Sequence, residues 1–216
     1  MTDDRLVLYG SFTSSSTYKP MLFLALAGLP FSFRTVNLKI GVQKQPEHLA
    51  RNRYGQVPVL RHRGLVLVMS NVILDYLARA TGRFEGSSEQ ERWRIREWLG
   101  WENDAIQNVA RVRHFARFRP DVDQKIVDYF RPGAEAALDF IDKSLEGRQW
   151  LVGERCTIAD IGCFGRMVFM AEGGLSLDAR PHASAWRERL MAMPGFALPY
   201  DLIPKKDAEI EGRVSV

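Results

Sequence analysis

The stretch GSFTSSSTYKP, residues 10–20, places four serines and two threonines between an apolar run and a helix-forming segment. A chain that leaves a strand and enters a helix through a polar turn exposes backbone N–H groups and the positive end of the helix dipole. Such a place stabilises an anion. Hydroxyls at Ser14, Ser15 and Ser16 can cap the helix, donate to a bound anion, or do both, and capping alone accounts for one serine better than for three in a row. Pro20 is expected within the first turn of this helix, where a missing N–H costs little. A second stretch, GQVPVL, carries Val57-Pro58 at the start of a strand. A cis bond there would turn the backbone of the preceding residue outward to pair with an extended peptide, although an edge-strand proline needs no ligand. A third, MSNVILDYLA, begins a helix with Ser70 as its expected cap, again suited to a carboxylate. Three such features between Ser14 and Ser70 read as a site for a small anionic peptide.

The elements that must position these residues follow from the hydrophobic pattern. RLVLYG is a short apolar strand, YKPMLFLALAG a helix closed by Gly28, and FSFRTVNL a strand by alternation. VPVLRHRGLVLV predicts two strands joined around Arg63-Gly64, and SNVILDYLARATG a helix ended by Gly82. The order is βαβ followed by ββα. After TGRFEGSSEQ the period changes. ERWRIREWLGWENDAIQNVARVRHFARF spaces its tryptophans and aliphatics at helical intervals, and DVDQKIVDYFRPGAEAALDFIDKSLEG continues the pattern with an expected interruption at Pro132-Gly133. CTIADIGCFGRMVFM and PHASAWRERLMAM predict two further helices. No strand is expected beyond residue 82. The predicted organisation is an α/β domain over 1–82, a linker at 83–88 and an all-helical domain over 89–216.

Composition narrows the function. The chain has 216 residues, 46% of them apolar, enough for one large or two small cores. Its longest apolar stretch, MLFLALAGLPF, is shorter than the roughly 18 to 20 residues of a membrane-spanning helix. The N-terminus opens on two aspartates where a secretory signal would carry positive charge, so a cytoplasmic location without membrane association is expected. The formal net charge of +4 is mild, and its one dense run, RVRHFARFR, is explained as well by a solvated helix face as by phosphate contact. No nucleic-acid partner is expected. Two cysteines and four histidines show no metal-ligand spacing. Cys156 and Cys163 read as small core residues on one helix.

Taken in order, LVLYGSFTSSSTYKPMLFLALAGLPF, NRYGQVPVL, SNVILDYLA and WLVGERCTIADI resemble the cytosolic glutathione transferase family over essentially the whole chain, and most nearly its serine-type, zeta-like bacterial members. The resemblance implies a thioredoxin-like N-terminal domain of βαβββα type, an all-α C-terminal helical bundle and a homodimer. It implies glutathione as co-substrate, activated as thiolate at the serine turn for attack on a small electrophile. Ser14 falls on the catalytic hydroxyl, with Ser15 and Ser16 flanking the sulfur. Val57, before a cis Pro58, would pair with the glutathione cysteine; Ser70 and Asn71 would hold the γ-glutamyl carboxylate, with Gln56 a weaker contact. The electrophile would lie between the turn and the helix carrying Asn108, Arg111, His114 and Phe115, whose arginine favours an anionic or aromatic compound. TIAD is a structural motif, with Thr157 as cap and Asp160 as its reciprocal partner.

The pattern is broken at Met69, where the family has an acidic residue or Gln that contacts the γ-glutamyl ammonium or its neighbours. A thioether cannot replace a charge-assisted hydrogen bond, a loss of about 1.5 to 3 kcal/mol. The alternative is therefore a binding or interaction module of the same fold with a weakened glutathione site.

Overall fold

The computed structural model describes residues 4–119 and 121–202 and the strand at 210–212, and it divides into two compact units, 1–81 with 193–216, and 82–192. In the first unit, β1 (Val7–Gly10), α1 (Ser15–Leu26) and β2 (Phe31–Thr35) form a parallel strand pair joined by a helical crossover. A short 3-10 turn (Val42–Lys44) and α2 (Pro46–Arg51) lead into β3 (Val59–His62), β4 (Leu65–Val68) and α3 (Ser70–Thr81). Arg63 and Gly64 have φ of 49° and 78°, the two left-handed residues of a tight hairpin whose twist matches its strands. With β5 (Ile210–Gly212) antiparallel on β2, the sheet order is β4-β3-β1-β2-β5.

Leu8 sits opposite Phe33 on one side and Leu60 on the other, and all three are buried. The helix α1 is buried continuously from Thr17 to Leu26, the pattern of a helix that is apolar all round. Each large side chain so removed from water contributes roughly 1.5 to 3 kcal/mol.

In the second unit, α4 (Glu89–Trp101) runs through a π-helical segment (Glu102–Ile106) into α5 (Gln107–Phe118), followed by α6 (Gln124–Ser144), α7 (Ile158–Met167), a 3-10 turn (Met170–Gly173) and α8 (Pro181–Met191). Ile95, Leu99, Ile106, Val109, Leu138, Ile161 and Trp186 fill its core. Glu102 is fully buried at the start of the π segment and pairs with Arg166 of α7 at 2.5 Å. Thr157 and Asp160 form the capping box read from the sequence, and the Asp160 carboxylate also accepts from the Leu151 N–H and the Trp186 Nε1–H, each at 3.0 Å. A groove of about 730 Å³ between α4 and α6 is floored by Trp98, Trp101 and Phe140.

Several local expectations are corrected. The helix α2 was not anticipated, because six residues starting at a proline carry too little periodicity to register. Pro20 lies six residues into α1, beyond its first turn. Ser70 is the first residue of α3 and not its cap; Met69 occupies the preceding position at φ 68°, and its carbonyl accepts from Ile73 N at 3.0 Å. Pro132 does not interrupt α6: the proline is exposed, so water can satisfy the carbonyl that its ring deprives of a partner. The long tryptophan-rich helix is continuous but carries a π segment between α4 and α5. Cys156 precedes α7 instead of lying on it. A strand does occur beyond residue 82, and residues from Met193 group with the first unit, not with the helical one. There Tyr18 donates to the Ala197 carbonyl at 2.8 Å, and Gly195 lies so close to Ala25 that a Cβ would meet its carbonyl oxygen at 2.5 Å.

Candidate functional site

The serine turn is a hydroxyl network with separate duties. Ser14 N donates to Ser11 O at 3.0 Å, closing the turn, and Ser11 and Thr13 share a hydrogen bond between hydroxyls at 2.9 Å. Thr17 accepts from Ser11 N at 3.3 Å and covers Gly10 so closely that a Cβ there would lie 2.2 Å from its methyl carbon. Ser14 is the N-cap of α1: its Oγ accepts from Thr17 N at 3.2 Å, which leaves its own proton to donate. Ser15, buried, and Ser16, half-buried, are the first two helical residues, at the positive end of a 12-residue helix.

The sheet register gathers the other two features at the same edge. Tyr9 lies opposite Val59, and Val59 opposite Val68, so the segments that follow Tyr9, precede Val59 and follow Val68 all emerge at one end of the sheet. These are the serine turn, Val57-Pro58 and Met69-Ser70. The Val57-Pro58 bond is cis. The loop before it is held from behind by two residues that sequence reasoning missed: the Gln56 carbonyl accepts from Asn52 Nδ2 at 2.8 Å and lies 2.8 Å from His48 Nε2. Both come from α2 and its end, and the spacing His48 to Asn52, one helical turn, was the available signal. The Gln56 side chain is exposed, Ser70 is buried and Asn71 is half-buried with its Oδ1 accepting from Lys19 Nζ at 2.8 Å. Lys19 was also missed, hidden in an apolar run.

The four residues expected to meet the electrophile lie on α5. Asn108 donates to Ala105 O and accepts from Arg111, while Gly133 of α6 comes so near that a Cβ would lie 2.9 Å from its amide nitrogen. Arg111 lies 5.2 Å over the Phe130 ring, and Phe115 stacks on the same ring at 5.6 Å. The three thus share the α5 face turned to α6. His114 beside them is edge-on to Phe115, and burial, with Arg119 and Arg113 nearby, holds its imidazole below the ordinary range, neutral at pH 7. The basic run is not a solvated face throughout: Arg113 is buried, paired with Glu172 at 2.6 Å and stacked on Phe169.

Two other candidate groups are removed by their surroundings. Burial, with the Asp201 carboxylate, pushes the Tyr18 phenol far above its ordinary range. Burial likewise raises the Cys156 thiol, with Asp160 adding to it, and both cysteines are buried thiols. Among the described residues no cluster of three or more His, Cys, Asp or Glu could hold a metal ion, and no helix is long and apolar enough to cross a membrane.

A sheet of this order with a cis-proline loop, joined in sequence to an all-helical unit, defines the glutathione S-transferase fold. Residues 5–79 match the glutathione S-transferase N-terminal domain and residues 103–194 the C-terminal domain. The chain belongs to this family. It is 30% identical to glutathione S-transferase theta-2 of Mus musculus over 89% of this chain and 83% of that protein. A glutathione S-transferase structure from Pseudomonas fluorescens superposes with a TM-score of 0.84 at 29% identity, covering 90% of this chain and 98% of that one. The structure of a glutathione S-transferase-I bound to lactoylglutathione gives 0.80 at 26% identity, covering 92% and 100%.

Proposed function

We propose that the protein is a serine-type, zeta-like glutathione transferase of the cytoplasm, acting as a homodimer on a small anionic or aromatic electrophile. The observation that carries this reading is the convergence of the Ser14 cap, Val57-Pro58 and the α3 N-terminus on one sheet edge. Glutathione lies across that edge. Its cysteine pairs with the Val57 backbone ahead of Pro58, its γ-glutamyl carboxylate sits at Ser70 and Asn71, and Gln56 adds a side-chain contact. The sulfur reaches the α1 N-terminus. There the Ser14 hydroxyl donates to it and the N-terminal amides of Ser15 and Ser16, with the helix dipole, favour thiolate over thiol. The nucleophile is brought by the substrate, so the turn needs no cysteine. The electrophile is received by the α5 residues Asn108, Arg111, His114 and Phe115.

Calorimetric titration with reduced glutathione at neutral pH, followed by the ultraviolet absorbance of bound thiolate, tests the reading. Binding with a thiolate signal supports it and justifies screening aryl halides and unsaturated acids. Absence of binding at millimolar glutathione favours the second reading, an interaction module, for which Met69 is the specific observation.

A further inference from the structure

The run RVRHFARFR carries four arginines, and three of them are committed to acidic partners. Arg113 and Arg117 both pair with Glu172, at 2.6 and 3.2 Å, and Arg119 pairs with Asp121 at 2.9 Å. Among the described residues no carboxylate pairs with Arg111, which is exposed on α5. It is nevertheless held. Its Nη1 donates to Asn108 Oδ1 at 3.2 Å, and its guanidinium lies 5.2 Å over the Phe130 ring. The Ala105 carbonyl can only accept, so it takes the Nδ2 side of the Asn108 amide, at 3.2 Å, and leaves the oxygen for Arg111. Neither an amide oxygen nor a ring face cancels a positive charge. The guanidinium is therefore fixed in place with its charge and most of its donors unspent. One helical turn on, about 6 Å along the axis, half-buried Phe115 stacks on Phe130 and offers an apolar surface.

Resting on the glutathione reading, we infer that Arg111 selects an aromatic carboxylate as electrophile, the ring lying along Phe115 and the acid group on the guanidinium. Asn108 is then a positioning residue, which aims the arginine and acts on the electrophile only through it. A planar fork meets a carboxylate with two hydrogen bonds, and a rigid ring that bears its acid directly spans both contacts with little freedom to lose.

The test uses two aryl chlorides, 4-chloro-3-nitrobenzoate and 4-chloro-3-nitrobenzamide, at saturating glutathione. In both, the thiolate sulfur bonds to the ring carbon that bears chlorine and chloride leaves with the bonding pair, so the probes differ in the charge of one substituent. Wild-type protein should show the lower KM for the benzoate. Arg111→Met should raise that KM about fivefold, the scale of an exposed ion pair, and shift the ratio of the two KM values by about the same factor. Arg111→Lys, which keeps the charge and loses the fork, should fall between. Asn108→Asp, which gives the arginine a carboxylate of its own, should repeat the Arg111→Met result. Equal KM changes for both probes, or no change, overturn the inference and leave Arg111 a solvated residue. Binding of both probes without glutathione, read by ligand-observed NMR, separates the two ways of failing. Benzoate held through Arg111 but never conjugated overturns the glutathione reading, whereas benzoate and benzamide bound alike, or neither bound, overturn the inference itself.

Discussion

At Ser14 one side chain serves folding and the proposed chemistry together. Its oxygen caps α1 through Thr17 N, and its proton is available to sulfur. Ser14→Ala should therefore cost about 1 kcal/mol in denaturant unfolding, a lost cap, and lower kcat about a hundredfold, a lost donor to the developing anion. Glutathione affinity should be largely kept; unchanged turnover would move the donor role to Ser11, Ser15 or Ser16. The opposite sign is expected at Met69. Its φ of 68° is no worse for an unbranched glutamate than for methionine, and it is exposed beside Ser70. Met69→Glu should tighten glutathione about tenfold or more in the same calorimetric assay, by restoring a charge-assisted partner for the ammonium. No change would place the peptide away from this residue.

The elements hold these residues through contacts with no chemistry of their own. Asp160 ties the start of α7 to α8 and to the loop at Leu151, accepting from Thr157, Leu151 and Trp186 in a fully buried position. Asp160→Ala strands those donors and should cost at least about 3 kcal/mol in chemical unfolding. The loss of activity should follow the folded fraction, not kcat. Two helix glycines make a sharper comparison. Around Gly100 of α4 a Cβ would meet nothing within 4 Å, whereas at Gly133 of α6 it would press on Asn108 at 2.9 Å. Gly100→Ala should raise stability by roughly 0.5 to 1 kcal/mol, because glycine is costly in a helix interior. Gly133→Ala should give less than that or a loss, since Asn108 must shift, and thermal melts of the two variants side by side check the contrast.

Over the whole molecule, the residues after Met193 group with the first unit: Tyr18 donates to Ala197, Tyr200 is edge-on to Phe12 of the serine turn, and β5 pairs with β2. Ending the chain at Ala192 should therefore speed amide exchange in α1 and β2 while α4 to α8 keep their protection, as hydrogen exchange would read directly. Equal loss in both units would refute this grouping. Local sequence signals suffice for the switch from strand–helix alternation to helices, the hairpin at Arg63-Gly64, the capping box at Thr157 and Asp160, and the hydroxyl-rich turn. Each is specified by residues within a few positions of one another, through periodicity, turn chemistry or a cap. What tertiary structure alone decided is of another kind. Lys19 meets Asn71, His48 and Asn52 hold Gln56, α6 passes through Pro132, and the tail returns to the first unit, because packing and register bring together residues that no local pattern connects.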